Sequence, residues 1–270
     1  MTEPAVSSDM QAEIAQRLAM VAQEEEILIL LAVESGSRAW GFHSTDSDYD
    51  VRFIYARPIA WHLGLGKKRD VVERPIDDEL DLSGWDLGKA LTLAMGSNAV
   101  VAEWLQSPIV YAQHPGAQED LATFAQKVLT RRPVMWHYLS LAKRQQERMI
   151  QPDGTYRLKR FFYTLRPALA LRWIRLNDAP MPPMDMSRLM DGCELEPDLD
   201  AAITDLIALK KAVREQSQGG AIEPRLFDFV DAELTTAKAY LAQPQARDEA
   251  SKPLEDANLL NLKYARLAGS

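Results

Sequence analysis

The stretch Gly36-Ser37-Arg38-Ala39-Trp40-Gly41-Phe42-His43-Ser44-Thr45-Asp46-Ser47-Asp48-Tyr49-Asp50-Val51-Arg52-Phe53-Ile54-Tyr55 decides how the chain is read. It follows a wholly apolar run, residues 27–33, and opens a second apolar run with two aspartates one residue apart. On an extended strand residues i and i+2 share a face, so Asp48 and Asp50 present their carboxylates together while Val51, Phe53 and Tyr55 face the other way. Two adjacent like charges are costly unless a cation binds between them. An oxygen-only pair suits Mg²⁺.

Bulk properties bound the class of protein. With 270 residues, 47% of them hydrophobic, the chain holds one large domain or two modest ones with real cores. The apolar run at residues 27–33 is too short to span a bilayer, and Met1-Thr2-Glu3-Pro4 lacks the basic start and apolar stretch of a signal peptide. A cytoplasmic protein with no membrane partner is expected. The single Cys193 excludes an intramolecular disulfide and leaves no thiol set for structural zinc. The net charge of −8 is unevenly spread: residues 131–177 carry 11 Lys/Arg against Glu147 and Asp153, a block of +9 that leaves −17 elsewhere. Such a block draws phosphate even in an acidic protein.

Working outward, Ser7-Ser8-Asp9 offers caps for a helix in which Met10, Ile14, Leu18 and Val21 recur at helical spacing. Strands are expected at residues 27–33 and 49–55, the second closed by Arg57-Pro58. Gly64-Leu65-Gly66-Lys67-Lys68 lacks the glycine spacing and hydroxyl residue of a phosphate loop, so residues 61–69 read as a solvated loop. Val71-Val72-Glu73 and Leu80-Asp81-Leu82 read as two short strands or a hairpin about a polar break at residues 74–78, with Asp81 facing away from its apolar neighbours. Asp81 is the candidate third metal ligand. Asp86 caps a helix at residues 87–95, and another spans residues 99–105. Beyond His114-Pro115-Gly116 the pattern is helical, at residues 117–129, 134–150, 156–176, 197–216, 224–241 and 254–267. Strands first and helices after indicate an α+β class: a small mixed or antiparallel sheet with helices at residues 1–113, followed by an all-α domain at residues 114–270.

A Gly-Ser turn after one strand, an Asp-x-Asp on the next and an Asp on a third place three carboxylates beside a turn that grips phosphate. Three carboxylates would hold two Mg²⁺ ions, with Mn²⁺ as a substitute, in the arrangement used for nucleotidyl transfer. Gly36 lets the backbone approach the phosphates, and the Ser37 hydroxyl and amide donate to them.

Gly36-Ser37 followed by Asp48-x-Asp50 and a later Asp resembles the nucleotidyltransferase superfamily of DNA polymerase beta. Gly-Ser-Arg-Ala-Trp-Gly-Phe, Ser-Asp-Tyr-Asp-Val-Arg-Phe-Ile-Tyr, Asp-Leu-Ser-Gly-Trp-Asp-Leu, Glu-Trp-Leu-x-Ser-Pro-Ile-Val-Tyr and Leu-Arg-Pro-Ala-Leu-Ala-Leu-Arg-Trp-Ile narrow this to the nucleotidyltransferases associated with RNA repair and RNA ligase systems. The resemblance covers most of residues 27–174. It implies a palm-type catalytic sheet, Gly36 and Ser37 on the triphosphate, Asp48 and Asp50 on the metals, and Asp81 as third carboxylate and general base. Asp86 competes for that last role but is better placed as a helix cap.

Lys159, Tyr163 and Arg166 lie at i, i+4 and i+7 on one helix face. That face closes over the nucleotide, or it is a solvated basic face with a tyrosine at its edge. Arg38 either assists the phosphate turn or pairs with a carboxylate such as Asp46. Trp40, Trp85, Trp104 and Phe161 read as packing residues, and His43 as a loop residue. The expected activity is Mg²⁺-dependent transfer of a nucleoside monophosphate from an NTP, ATP included, to an acceptor hydroxyl. The resemblance points to RNA as acceptor, guided by the basic helices of residues 131–175. A protein or small-molecule acceptor, and a non-catalytic NTP- or RNA-binding module, are the rival readings.

Overall fold

The apolar run after the first helix becomes β1 (Leu28–Ser35), and the Asp-x-Asp run becomes β2 (Tyr49–Ala56). A computed structural model describes residues 5–44, 47–74, 79–149, 156–212, 222–244 and 254–270. Asp46 and the break at residues 75–78 therefore lie outside the described residues. β3 (Val71–Glu73), β4 (Leu80–Asp86) and β5 (Val110–Gln113) complete a five-stranded sheet in the order β3-β4-β2-β1-β5. It is mixed: β2 and β4 run parallel, with Asp50 opposite Asp81, and the other neighbours are antiparallel.

Period-2 alternation sorts the two faces. Val51, Phe53, Tyr55, Leu80 and Leu82 join Ile14, Leu18 and Val21 of α1 (Ser8–Glu24) in one apolar cluster. Ser7 caps α1 by accepting the Met10 N–H. Leu31, Val33 and Ile54 belong to a larger cluster that runs through the helices.

Those helices are α2 (Ile59–Leu63), α3 (Leu87–Met95), α4 (Ala99–Leu105), α5 (Ala117–Val128), α6 (Arg131–Glu147), α7 (Leu158–Asn177), α8 (Met186–Asp191), α9 (Pro197–Ala212), α10 (Pro224–Ala242) and α11 (Leu254–Leu267). Asp86 and Asn98 cap α3 and α4 through the N–H groups of Gly88 and Val100. α7 is the central helix, buried along most of its length and packed against α6 and α10. α11 returns to lie against α2, α3, α5 and β2. Two short helices differ from the sequence expectation. α2 occupies the start of the segment read as a solvated loop, where no periodicity shows in five residues, while Gly64 to Asp70 is exposed as expected. α8 is one turn and a half, nucleated by Asp185 accepting the Arg188 N–H. Among the described residues no helix is long and apolar enough to cross a membrane.

Candidate active site

β1 ends with Ser35 opposite Asp50, and the chain then turns at Gly36, whose φ is +77°. Three backbone hydrogen bonds wind the turn: Trp40 N–H to Gly36 O (3.0 Å), Gly41 N–H to Arg38 O (3.0 Å) and Phe42 N–H to Ser37 O (3.1 Å). A Cβ on residue 36 would stand 2.3 Å from Asp50 Oδ2, so glycine is required both by φ and by the carboxylate pressed against it. Half-buried Ser37 follows on the same turn.

The parallel register puts Asp50 and Asp81 side by side. Between them stands a cation that sequence reasoning missed. Arg52 Nη2 donates to Asp50 Oδ1 (3.1 Å) and to Asp81 Oδ2 (2.7 Å), and its Nη1 donates to the carbonyls of Val51 (3.0 Å) and Asp81 (2.9 Å). Burial raises the Asp50 carboxyl above its ordinary pKa; Arg52 opposes the rise, Asp81 and Asp48 add to it, and Lys159 opposes it. Asp48, one residue before β2, is exposed. Among the described residues no three His, Cys, Asp or Glu side chains stand together as a ready metal cage. Arg52 holds the seat between two of the expected ligands.

Glu34 is the second residue missed. It lies fully buried at the end of β1, with Oε1 accepting the Asp50 N–H (3.0 Å) and Oε2 accepting the Tyr111 hydroxyl. Burial pushes its carboxyl up to about 7 against the pull of those donors. The available signal was an acid directly continuing a seven-residue apolar run, two positions before the phosphate turn.

The remaining candidates divide. Lys159 is half-buried, and its charge reaches Asp50. Tyr163 sets its ring edge against Trp40 at 5.0 Å, so it packs on the phosphate turn from the helical side. Arg166 is turned inward: it is 2% exposed, donates to Glu103 Oε1 (2.7 Å) and to the Met184 carbonyl (3.3 Å), and lies over the Trp40 ring. Its neighbours on α7 are apolar, which a helical-face count does not reveal. Arg38 is likewise turned inward, donating to the carbonyls of Ala5, Ser47 and Asp48 and covering the Tyr49 ring at 3.7 Å. It clamps the loop before Asp48. From the other side Lys210 of α9, 2% exposed, donates to Ser44 Oγ (3.0 Å). Asp86 accepts the Gly88 N–H through Oδ1 (2.9 Å), the cap geometry, and projects from the opposite face of β4 to Asp81. Trp40, Trp104 and Phe161 are buried, and Trp85 stacks on Trp104 at 4.1 Å.

Chemically, a phosphate at the Gly36 turn would face the carboxylates of Asp50 and Asp81 directly. Anion and carboxylates need positive charge between them, and the carboxylate donors are oxygen-only, the type that suits a hard divalent cation. That Arg52 already bridges the pair shows that the position calls for positive charge.

The profile of the family described as RNA repair pathway DNA polymerase beta family, RlaP, matches residues 10–260. The chain belongs to that family. A relative is the uncharacterized protein YcgL of Bacillus subtilis (strain 168), 38% identical over 225 residues that cover 83% of this chain and 85% of the relative.

Proposed function

We propose that the protein is an Mg²⁺-dependent nucleotidyltransferase that moves a nucleoside monophosphate from an NTP to a hydroxyl on RNA. The observation that carries this reading is the Asp50–Asp81 pair, locked in parallel register, pressed by the Gly36 turn and bridged by a cation. Asp48, Asp50 and Asp81 would hold the metal, which supplies Lewis-acid stabilisation of the attacking hydroxyl and of the leaving pyrophosphate. Gly36 and Ser37 donate their backbone N–H groups and the Ser37 hydroxyl to the triphosphate. Asp81 takes the proton of the acceptor hydroxyl as its oxygen bonds to the α-phosphorus and the bond to the β-phosphate oxygen breaks. Arg52 would have to give up its bonds to Asp50 and Asp81 for these carboxylates to hold the metal, and Lys159 adds positive charge beside Asp50.

The test is incubation of the purified protein with each α-labelled NTP and Mg²⁺, with and without tRNA. Label passes to RNA in the wild type and falls to background in Asp48→Ala/Asp50→Ala. Equal product from that variant overturns the proposal, and label on the protein itself moves the acceptor away from RNA.

A further inference from the structure

The basic block of residues 131–177 is two populations. Arg131 pairs with Asp178, Arg166 with Glu103, and Arg172 and Arg175 share Glu233 (2.7 and 3.0 Å). Arg132 donates to the carbonyls of Tyr240 and Leu241, and Arg160 to Gln145 Oε1. These cations are internal struts. Lys143, Arg144 and Arg148, by contrast, lie exposed on or just past the end of α6, and among the described residues none of the three is paired with an acid.

Along α6, Trp136, Ser140, Lys143 and Arg144 recur at i, i+4, i+7 and i+8, so they share one outward face. On that face Trp136 leaves 49% of its surface in solvent. The face forms one wall of a recess of about 430 Å³, closed on the other side by the α3–α4 turn with Ser97 and Asn98. An exposed indole with two exposed cations about two turns further along the same helix face, over a recess large enough for a small ligand, matches a base with the phosphates that follow it along a strand. A duplex hides its base faces, whereas an unpaired strand offers them.

We propose that this face of α6 is a platform for single-stranded RNA, with one unpaired base stacked on Trp136 and the neighbouring phosphates on Lys143 and Arg144. The inference rests on the reading of RNA as the acceptor, and it assigns that acceptor a path over the helical half.

The experiment is fluorescence anisotropy of a labelled single-stranded RNA oligonucleotide against wild type, Trp136→Ala, Trp136→Phe and Lys143→Gln/Arg144→Gln, at several salt concentrations. One stacked base contributes roughly 1–3 kcal/mol, so Trp136→Ala weakens binding about tenfold while Trp136→Phe stays near wild type. The double variant lowers the log–log salt slope by about 1.4, two phosphates at about 0.7 each. Duplex RNA is indifferent to Trp136→Ala. Unchanged single-strand affinity in Trp136→Ala overturns the proposal, as does poly-glutamate binding with the affinity of RNA. A concentration-dependent dimer that Trp136→Ala abolishes, with RNA affinity unchanged, assigns the face to a second copy and also overturns it. Failure here is separable from failure of the transfer chemistry. A wild type that transfers label to RNA, and binds single strands equally well after Trp136→Ala, sinks the platform alone. One that binds RNA through Trp136 but transfers nothing sinks the chemistry alone.

Discussion

Two charge networks built from the same side-chain types behave in opposite ways. In the helical half Arg166 and Glu103 are sealed, their side chains 2% and 14% exposed, one cation matched to one anion with a tyrosine hydroxyl, that of Tyr138, on the same carboxylate. At the sheet, Arg52 serves two carboxylates through one nitrogen, with all three side chains between 20% and 32% exposed. A matched, desolvated pair has nothing left to offer a ligand; a surplus of anion open to solvent does. The comparison sets a closed internal strut against an anionic patch still open to a ligand.

The largest expected effect comes from breaking the sealed pair. Arg166→Met leaves Glu103 buried without its cation, which costs about 3–5 kcal/mol and lowers the melting temperature by roughly 6–20 °C. Nucleotide transfer per folded molecule, measured well below the transition, stays within about twofold of wild type. Lost transfer with an unchanged melting temperature would instead put Arg166 on the nucleotide and dissolve the contrast.

Glu34 stands between the two networks, as buried as Arg166 but satisfied only by neutral donors. Its folded pKa of about 7 lies above the ordinary 4.5, so its contribution is fully present below pH 4.5 and is lost as pH rises to 7. Urea denaturation of wild type and Glu34→Gln across this window sharpens the comparison. The wild-type stability relative to the variant should fall by on the order of 3 kcal/mol between pH 4.5 and 7 and then level off. A flat difference would mean that the carboxyl is ionised in the fold at all these values.

The smallest effect tests the open network. Arg52→Gln removes the charge that competes for the carboxylate seat, so Mn²⁺ binding followed by paramagnetic resonance tightens by about tenfold, or 1.4 kcal/mol. Weaker binding in Arg52→Gln than in wild type would show that Arg52 shapes the seat rather than contests it.

Local spacing made part of this site legible. Period-2 alternation identified β2, the polar break isolated β3 from β4, and Gly36 was read as a turn glycine, though its φ of +77° and the Asp50 carboxylate pressed against it show only in the fold. Cap chemistry read Asp86 as the cap of α3, which it is. What stayed hidden depended on register between distant strands. Arg52 sits on the same strand face as Asp50, but its role exists only because β4 pairs in parallel and brings Asp81 opposite. The inward turn of Arg38 and Arg166 was equally unreadable, since their partners, the carbonyls of Ala5 and Met184 among them, are distant in sequence or offer only backbone oxygen. The net charge of the basic block overstates its free charge for the same reason: Glu103, Asp178 and Glu233, which pair with its arginines, all lie outside it.

The bond from Lys210 to Ser44 has a consequence for synthesis. The loop that leads into Asp48 is clamped by a side chain 166 positions later, and β1 receives its outer neighbour β5 only after all the other strands have been made. A ribosome-bound chain therefore carries its aspartates and the Arg38 clamp long before it carries the second anchor of that loop, Lys210. The geometry around Asp48 is completed late, only once α9 has emerged.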